Sequence, residues 1–198
     1  MLRTLSRWLD RIASAKTLLP ALALALFFMA YLMPLLAERM NTAAGHPVEP
    51  IDVLMFKFDP ALIQRMVEGY GDAGRAVYAE GIATFDLAYP LAYTFLFCLA
   101  LALLFRNRPY APFPLVNLLP LVGLVADLAE NACIVYLLRA YPASSSTVAS
   151  VCTVASAVKW AAAAGVLALI GYGLIRLAFR SGGGSQGPRV AAESVAEA

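Results

Sequence analysis

The sequence predicts an all-α membrane protein: a four-transmembrane-helix bundle with one interfacial amphipathic helix in the first outer loop. Three observations predict it. Of 198 residues, 61% are hydrophobic and 14% charged, against roughly half and a quarter in soluble domains. Mean hydropathy is +0.72. The apolar residues also gather into four runs, each long enough to match the roughly 20 residues that a helix needs to cross a bilayer core.

Residues 1–16 carry Arg3, Arg7, Arg11 and Lys16 around Trp8 and Leu9, the pattern of a basic amphipathic lead-in lying on a membrane surface. The first membrane helix covers about 17–37, with Pro20 and Pro34 near its ends, where a missing N–H costs least. It is longer than a signal-peptide core and no small-x-small site closes it, which favours an uncleaved anchor. Residues 38–75 form the one sizeable polar loop. Gly45, Pro47 and Pro50 break any helix in its first half. Asp59 then offers an acidic N-cap with Pro60 at the first helical position. Leu62, Ile63, Met66, Val67 and Tyr70 recur at helical spacing, so a short amphipathic helix over 59–70 lies at the interface. The second membrane helix covers about 75–105, the third 114–139 and the fourth 147–179. The tail 181–198 has too few large apolar residues to bury a core and is expected to be disordered.

Charge places the ends. The lead-in, the turn Arg106–Arg108 and the C-terminal flank (Arg176, Arg180, Arg189) hold nine Lys or Arg. The long loop and Arg139 hold five. The positive-inside rule then puts both termini in the cytoplasm. A net charge of +2, with its residues scattered, gives no footprint for nucleic acid. One histidine, His46, excludes a His-rich zinc or haem site within one chain. Cys98, Cys133 and Cys152 sit in apolar runs without metal-like spacing and read as packing residues. No P-loop, nucleophile elbow or zinc motif is present, so hydrolase and nucleotide-driven chemistry lack support and no cofactor or dedicated metal site is expected, the three membrane acids and Asn131 being only a weak oxygen-ligand set for a divalent cation.

Charges inside membrane helices are costly, so they need partners, water or a function. Asp127, Glu130 and Asn131 fall at i, i+3 and i+4 on one face of the third helix, with Gly123 a turn below. Asp86, Tyr89 and Tyr93 share a face of the second helix, which Arg75 and Tyr78 continue upward. Pro90 has no N–H for the carbonyl four residues back, and that residue is Asp86; the freed oxygen needs another donor or a cation. On the fourth helix Thr153, Ser156 and Trp160 form a stripe bordered by Lys159. At about 1.5 Å per residue, Asp86 stands roughly 30 Å, Lys159 about 25 Å, Glu130 about 24 Å and Asp127 about 20 Å above the cytoplasmic edge. Four charges at one level predict a single site in the outer half of the bilayer, under the 59–70 helix. Three carboxylates against one lysine do not all stay ionised when packed together, so a shared proton is expected.

The string Gly74-Arg75-x-x-Tyr78, Asp86-x-x-Tyr89-Pro90-x-x-Tyr93, Asp127-x-x-Glu130-Asn131 and Lys159-Trp160 resembles a pattern in uncharacterised bacterial four-helix membrane proteins, over roughly residues 70–165. That resemblance implies a four-helix membrane fold and no particular activity. Acids and a tryptophan lining a small helical bundle are also loosely similar to emopamil-binding-protein-like (EXPERA) sterol isomerases and sterol binders.

Three functions suit these residues. The first is an acidic, aromatic-lined pocket that binds or moves a small amphipathic, lipid-like or cationic molecule, with proton linkage through the carboxylates. Its contacts are Arg75, Tyr78, Asp86, Tyr89, Tyr93, Asp127, Glu130, Asn131, Ser156, Lys159 and Trp160. Four helices are few for a transporter, so movement implies a homo-oligomer surrounded by membrane lipids. The second is an intramembrane enzyme acting on a lipid or isoprenoid, with Glu130 as acid/base, Asp127 as its partner and Asp86 as electrostatic support. The third is a structural or assembly subunit whose polar face meets another protein.

Overall fold

The computed structural model describes residues 1–54, 59–143 and 145–182, the side chains of 180–182 excepted. Lys57, Ser144, Arg189 and residues 183–198 lie outside the described residues, and so does nearly all of the expected tail. Among the described residues every regular element is helical. Four stretches are long and apolar enough to cross a membrane: Ala15–Ala44, Gly71–Phe105, Val116–Ala140 and Ser146–Phe179. The protein is an all-α, four-helix integral membrane bundle.

Helix α1 (Leu2–Ile12) is the lead-in. Ser14 then caps α2 (Ala15–Phe27) through a reciprocal capping box with Thr17. A widened π turn, Phe28–Leu32, joins α2 to α3 (Met33–Ala44). It lies directly before Pro34, which cannot donate to the carbonyl of Ala30, so the ladder is already interrupted there. The first span therefore runs seven residues past the expected end at 37. Glu38, Arg39, Asn41 and Thr42 are polar but helix-compatible; the helix stops only where Gly45 turns left-handed at φ 76°.

The interfacial helix is α4 (Pro60–Gly69). Asp59 accepts from the Ala61 N–H at 2.9 Å, and Ile63 and Val67 are buried while Arg65 and Glu68 face out. Gly71, at φ 65°, makes the turn into α5 (Gly71–Phe105). The third membrane helix proper, α6 (Pro120–Ala140), begins six residues later than the expected 114. Leu115 is left-handed and 116–118 form a 3-10 turn, which leaves Pro120 at the helix start, where its missing N–H is harmless. Helix α7 (Ser146–Gly182) completes the chain. The three cysteines are free thiols.

Helices α5, α6 and α7 pack mutually, and α6 buries the largest share of its residues. The first span packs on α5, where Gly81 admits Leu36; a Cβ there would overlap the leucine side chain. Val122, Val125, Leu167, Leu174 and Ile175 are exposed along the spans, as lipid-facing residues should be. On the side of the termini, α1 is tied to the α5–α6 connection. The Asn117 amide donates to Ser6 O at 3.1 Å and Asp10 Oδ1 at 3.0 Å, the Ser6 hydroxyl donates to Asn117 Oδ1 at 2.8 Å, and Arg106 donates to Asp10 O and Ala13 O. Burial pushes the Asp10 carboxyl up, opposed by the Asn117 bond and the Arg106 charge.

Candidate functional site

Helix α5 carries most of the site because its period of 3.6 residues aligns Tyr78, Asp86, Tyr89, Tyr93 and Phe97 on one side. That side faces a cavity of about 580 Å³ bounded by all four spans. Asp127, Gly123 and Pro120 face it from α6, and Lys159, Trp160, Ala163 and Val166 from α7. Met29 and Met33 contribute from the π turn and the start of α3. The cavity is of the size that takes a small organic ligand.

The side chains at its polar end are bonded to one another across helices. The Tyr93 hydroxyl donates to Asp127 Oδ2. The Lys159 ammonium turns inward, pairs with Glu130 Oε2 and lies 3.8 Å from Asp127 Oδ1. It also stands 5.4 Å from the centre of the Trp160 ring. Glu130 is fully buried behind the lysine and does not reach the cavity wall. Its Oε2 meets the Lys159 ammonium, and the Ser156 hydroxyl lies beside its carboxylate. Tyr89 stacks on Phe28 at 5.8 Å and meets Tyr93 edge-on at 5.2 Å, so the aromatic wall is continuous from the first span to α5.

The carbonyl freed by Pro90 finds a specific donor. Asn131 Nδ2 donates to Asp86 O at 3.0 Å, from the helix that also carries Asp127 and Glu130. Asn131 thus satisfies the backbone from the wall behind the cavity and is not among the residues that line it. Ser156 is buried beside Glu130 in that same second layer.

Arg75 does not join the group. Its guanidinium donates to Val67 O at 3.1 Å, pairs with Asp72 and covers the Tyr141 ring at 3.8 Å. It lines a shallow surface depression above α5 and α6, and its work is to fasten α4 and the Tyr141 turn to the top of the bundle. Arg75 is nearly in phase with Asp86, since 11 residues make close to three turns, but it stands about 16 Å higher along the helix, where Val67, Asp72 and Tyr141 engage it.

Sequence reasoning missed Asp52. It lies in a 3-10 turn, Ile51–Val53, that roofs the cavity together with Pro50. The roof, rather than α4, covers the site. Tyr78 holds it: the hydroxyl accepts from the Ile51 N–H at 2.9 Å and donates to the Asp52 carboxylate. Lys159 donates to Asp52 O at 3.1 Å, and Tyr70 donates to Glu49 O at 2.7 Å. The available signal was local: Ile51, Val53 and Leu54 are apolar residues in a loop that reads as polar, and Ile51 and Leu54 are buried. Tyr78→Phe should leave the buried Ile51 N–H unpaired, at about 1–3 kcal/mol. Amide exchange at Ile51 and Asp52 should then accelerate while the α6 amides stay protected. Unchanged exchange there would show that Tyr78 does not hold the roof.

Among the described residues no cluster of three His, Cys, Asp or Glu is arranged to hold a metal ion. No protein-family model matches the chain, and no curated protein or solved structure is significantly similar to it, so the two resemblances rest on their motifs alone.

Proposed function

We propose that the protein binds, or moves within the membrane, a small amphipathic or lipid-like molecule held in the cavity between its four helices. The observation that carries this reading is the cavity's two-ended lining. Asp52, Asp86, Asp127 and the paired Lys159 gather toward the roof, and Met29, Phe97, Ala163 and Val166 line the remainder. A purely structural ion-pair network needs no such space beside it, and a packed core leaves none. The charge asymmetry of the loops supports termini on the cytoplasmic side of a bacterial inner membrane. The enzyme reading has less support. Glu130, the acid/base it favours, is shielded by Lys159, which leaves Asp52, Asp86 and Asp127 as the carboxylates within reach of a ligand.

Filling the cavity tests the proposal. Ala163→Phe and Met33→Trp enlarge opposite walls, so misfolding of one does not compromise the other. Mass spectrometry of organic extracts should find a small molecule in near-stoichiometric amount with the wild-type protein purified in mild detergent. Each filled variant should lose most of it, roughly tenfold for a pocket whose contacts are displaced by about 1.4 kcal/mol. Equal retention by folded filled variants would place the molecule elsewhere, and the cavity reading would be wrong.

A further inference from the structure

We infer that the occupant is a membrane-partitioned amphiphile with a protonated amine head, seated with its head at Asp86 and its tail along the lower half of α5. This rests on the proposed function above and specifies its ligand.

The head follows from which groups are already used. Lys159, the cation in the cavity wall, is held by Glu130, Asp127 and the Asp52 carbonyl. Tyr93 donates to Asp127 and Tyr78 to Asp52. Asp86 is different. Its residue is 6% exposed and lines the cavity, and the side-chain donor beside its carboxylate is the neutral Asn131 amide, which is also bonded to the Asp86 backbone oxygen. A nearly buried carboxylate whose neighbouring donor is neutral and shared, with no directly paired cation, is costly. It is best relieved by a ligand that brings N–H donors and positive charge. A carboxylate or phosphate head would meet Asp52, Asp86 and Asp127 together and be repelled. The Tyr89, Tyr93 and Trp160 rings beside them add cation–π attraction for an ammonium.

The tail follows from polarity along the cavity. From Asp86 to Phe97 is about 16 Å along the helix axis at 1.5 Å per residue. Over that distance the lining changes to Phe97, Pro120, Ala163 and Val166. The apolar end points toward the bilayer centre and the acidic end toward the roof. This is how an amphiphile already lies in the leaflet on the roof's side. The route in is lateral, past the first span, which lines the cavity but packs chiefly on α5 and scarcely on α6 or α7.

The test compares dodecylamine, dodecanol, dodecanoate and ethylamine by native mass spectrometry on wild-type protein, with competition by each probe. Dodecylamine should bind at least about tenfold tighter than dodecanoate, since like charges brought together cost several-fold discrimination. It should also bind at least about tenfold tighter than tailless ethylamine, because tail burial adds to the head contact. Asp86→Asn should cut dodecylamine binding about tenfold while leaving dodecanol binding unchanged. Dodecanoate binding as tightly as the amine would overturn the head assignment and leave the cavity reading standing. Ethylamine matching dodecylamine would overturn the amphiphile in favour of a small dissolved cation. Wild-type protein that binds none of the four would remove the cavity reading as well.

Discussion

Lys159→Met is expected to destabilise the protein by about 3–5 kcal/mol, the cost of removing one partner from a buried ion pair. The lysine side chain is 11% exposed and the Glu130 side chain 1%, so neither charge has water to fall back on. Removing the lysine leaves Glu130 fully enclosed and without a countercharge, with the Ser156 hydroxyl beside it. It also takes the donor from Asp52 O and loosens the roof. Lys159→Met with Glu130→Gln should recover most of the loss, because a neutral pair of similar volume carries no uncompensated charge. Unfolding of the three proteins in the same mild detergent measures this. A single-variant loss under about 1 kcal/mol would mean that the lysine is in effect solvated, as a surface pair would be.

The second large effect concerns Asn131 and Pro90. Asn131→Leu should cost about 1–3 kcal/mol, because Asp86 O is left unpaired in the membrane interior. The sharper expectation is a rescue. Pro90→Ala supplies the backbone N–H that proline lacks, at the position that faces Asp86 O in an unbroken helix. In the Pro90→Ala background, Asn131→Leu should cost at least about 1 kcal/mol less than it does alone. Strict additivity would show that Asn131 stabilises the bundle through some contact other than that carbonyl.

These two cases show what could be read from the residues alone. Asp127, Glu130 and Asn131 were visible because polar groups at helical spacing stand out in an apolar run, where each one is costly. Pro90 pointed to an orphan carbonyl at Asp86 by covalent chemistry, although not to Asn131 as its donor. The common level of Lys159 and the acids followed from the fixed rise of a helix, and the ion pair of Lys159 with Glu130 lies between those helices. Asp52 was hidden for the opposite reason. Its position depends on Tyr78 and Lys159 capturing a loop from 26 and 107 residues away, and no local periodicity records that. The Met29 and Met33 wall was hidden too, since a methionine in an apolar span looks the same whether it faces lipid, core or cavity. Arg75 was misplaced because a shared helix face says nothing of depth: it stands three turns above Asp86, where Asp72 at the start of α5 and Tyr141 after α6 engage it.

The ligand, its amine head and its lateral route all depend on the space under the Pro50–Val53 roof being a binding cavity and not a packing defect. A density map at side-chain resolution, from protein purified in mild detergent and returned to a lipid nanodisc, decides between the two. Elongated non-protein density should begin within hydrogen-bond distance of the Asp86 carboxylate, pass Trp160 and end near Phe97 and Val166. Closure of that space by Met33, Phe97 and Val166, with Asp86 bonded to protein instead, would contradict the cavity reading.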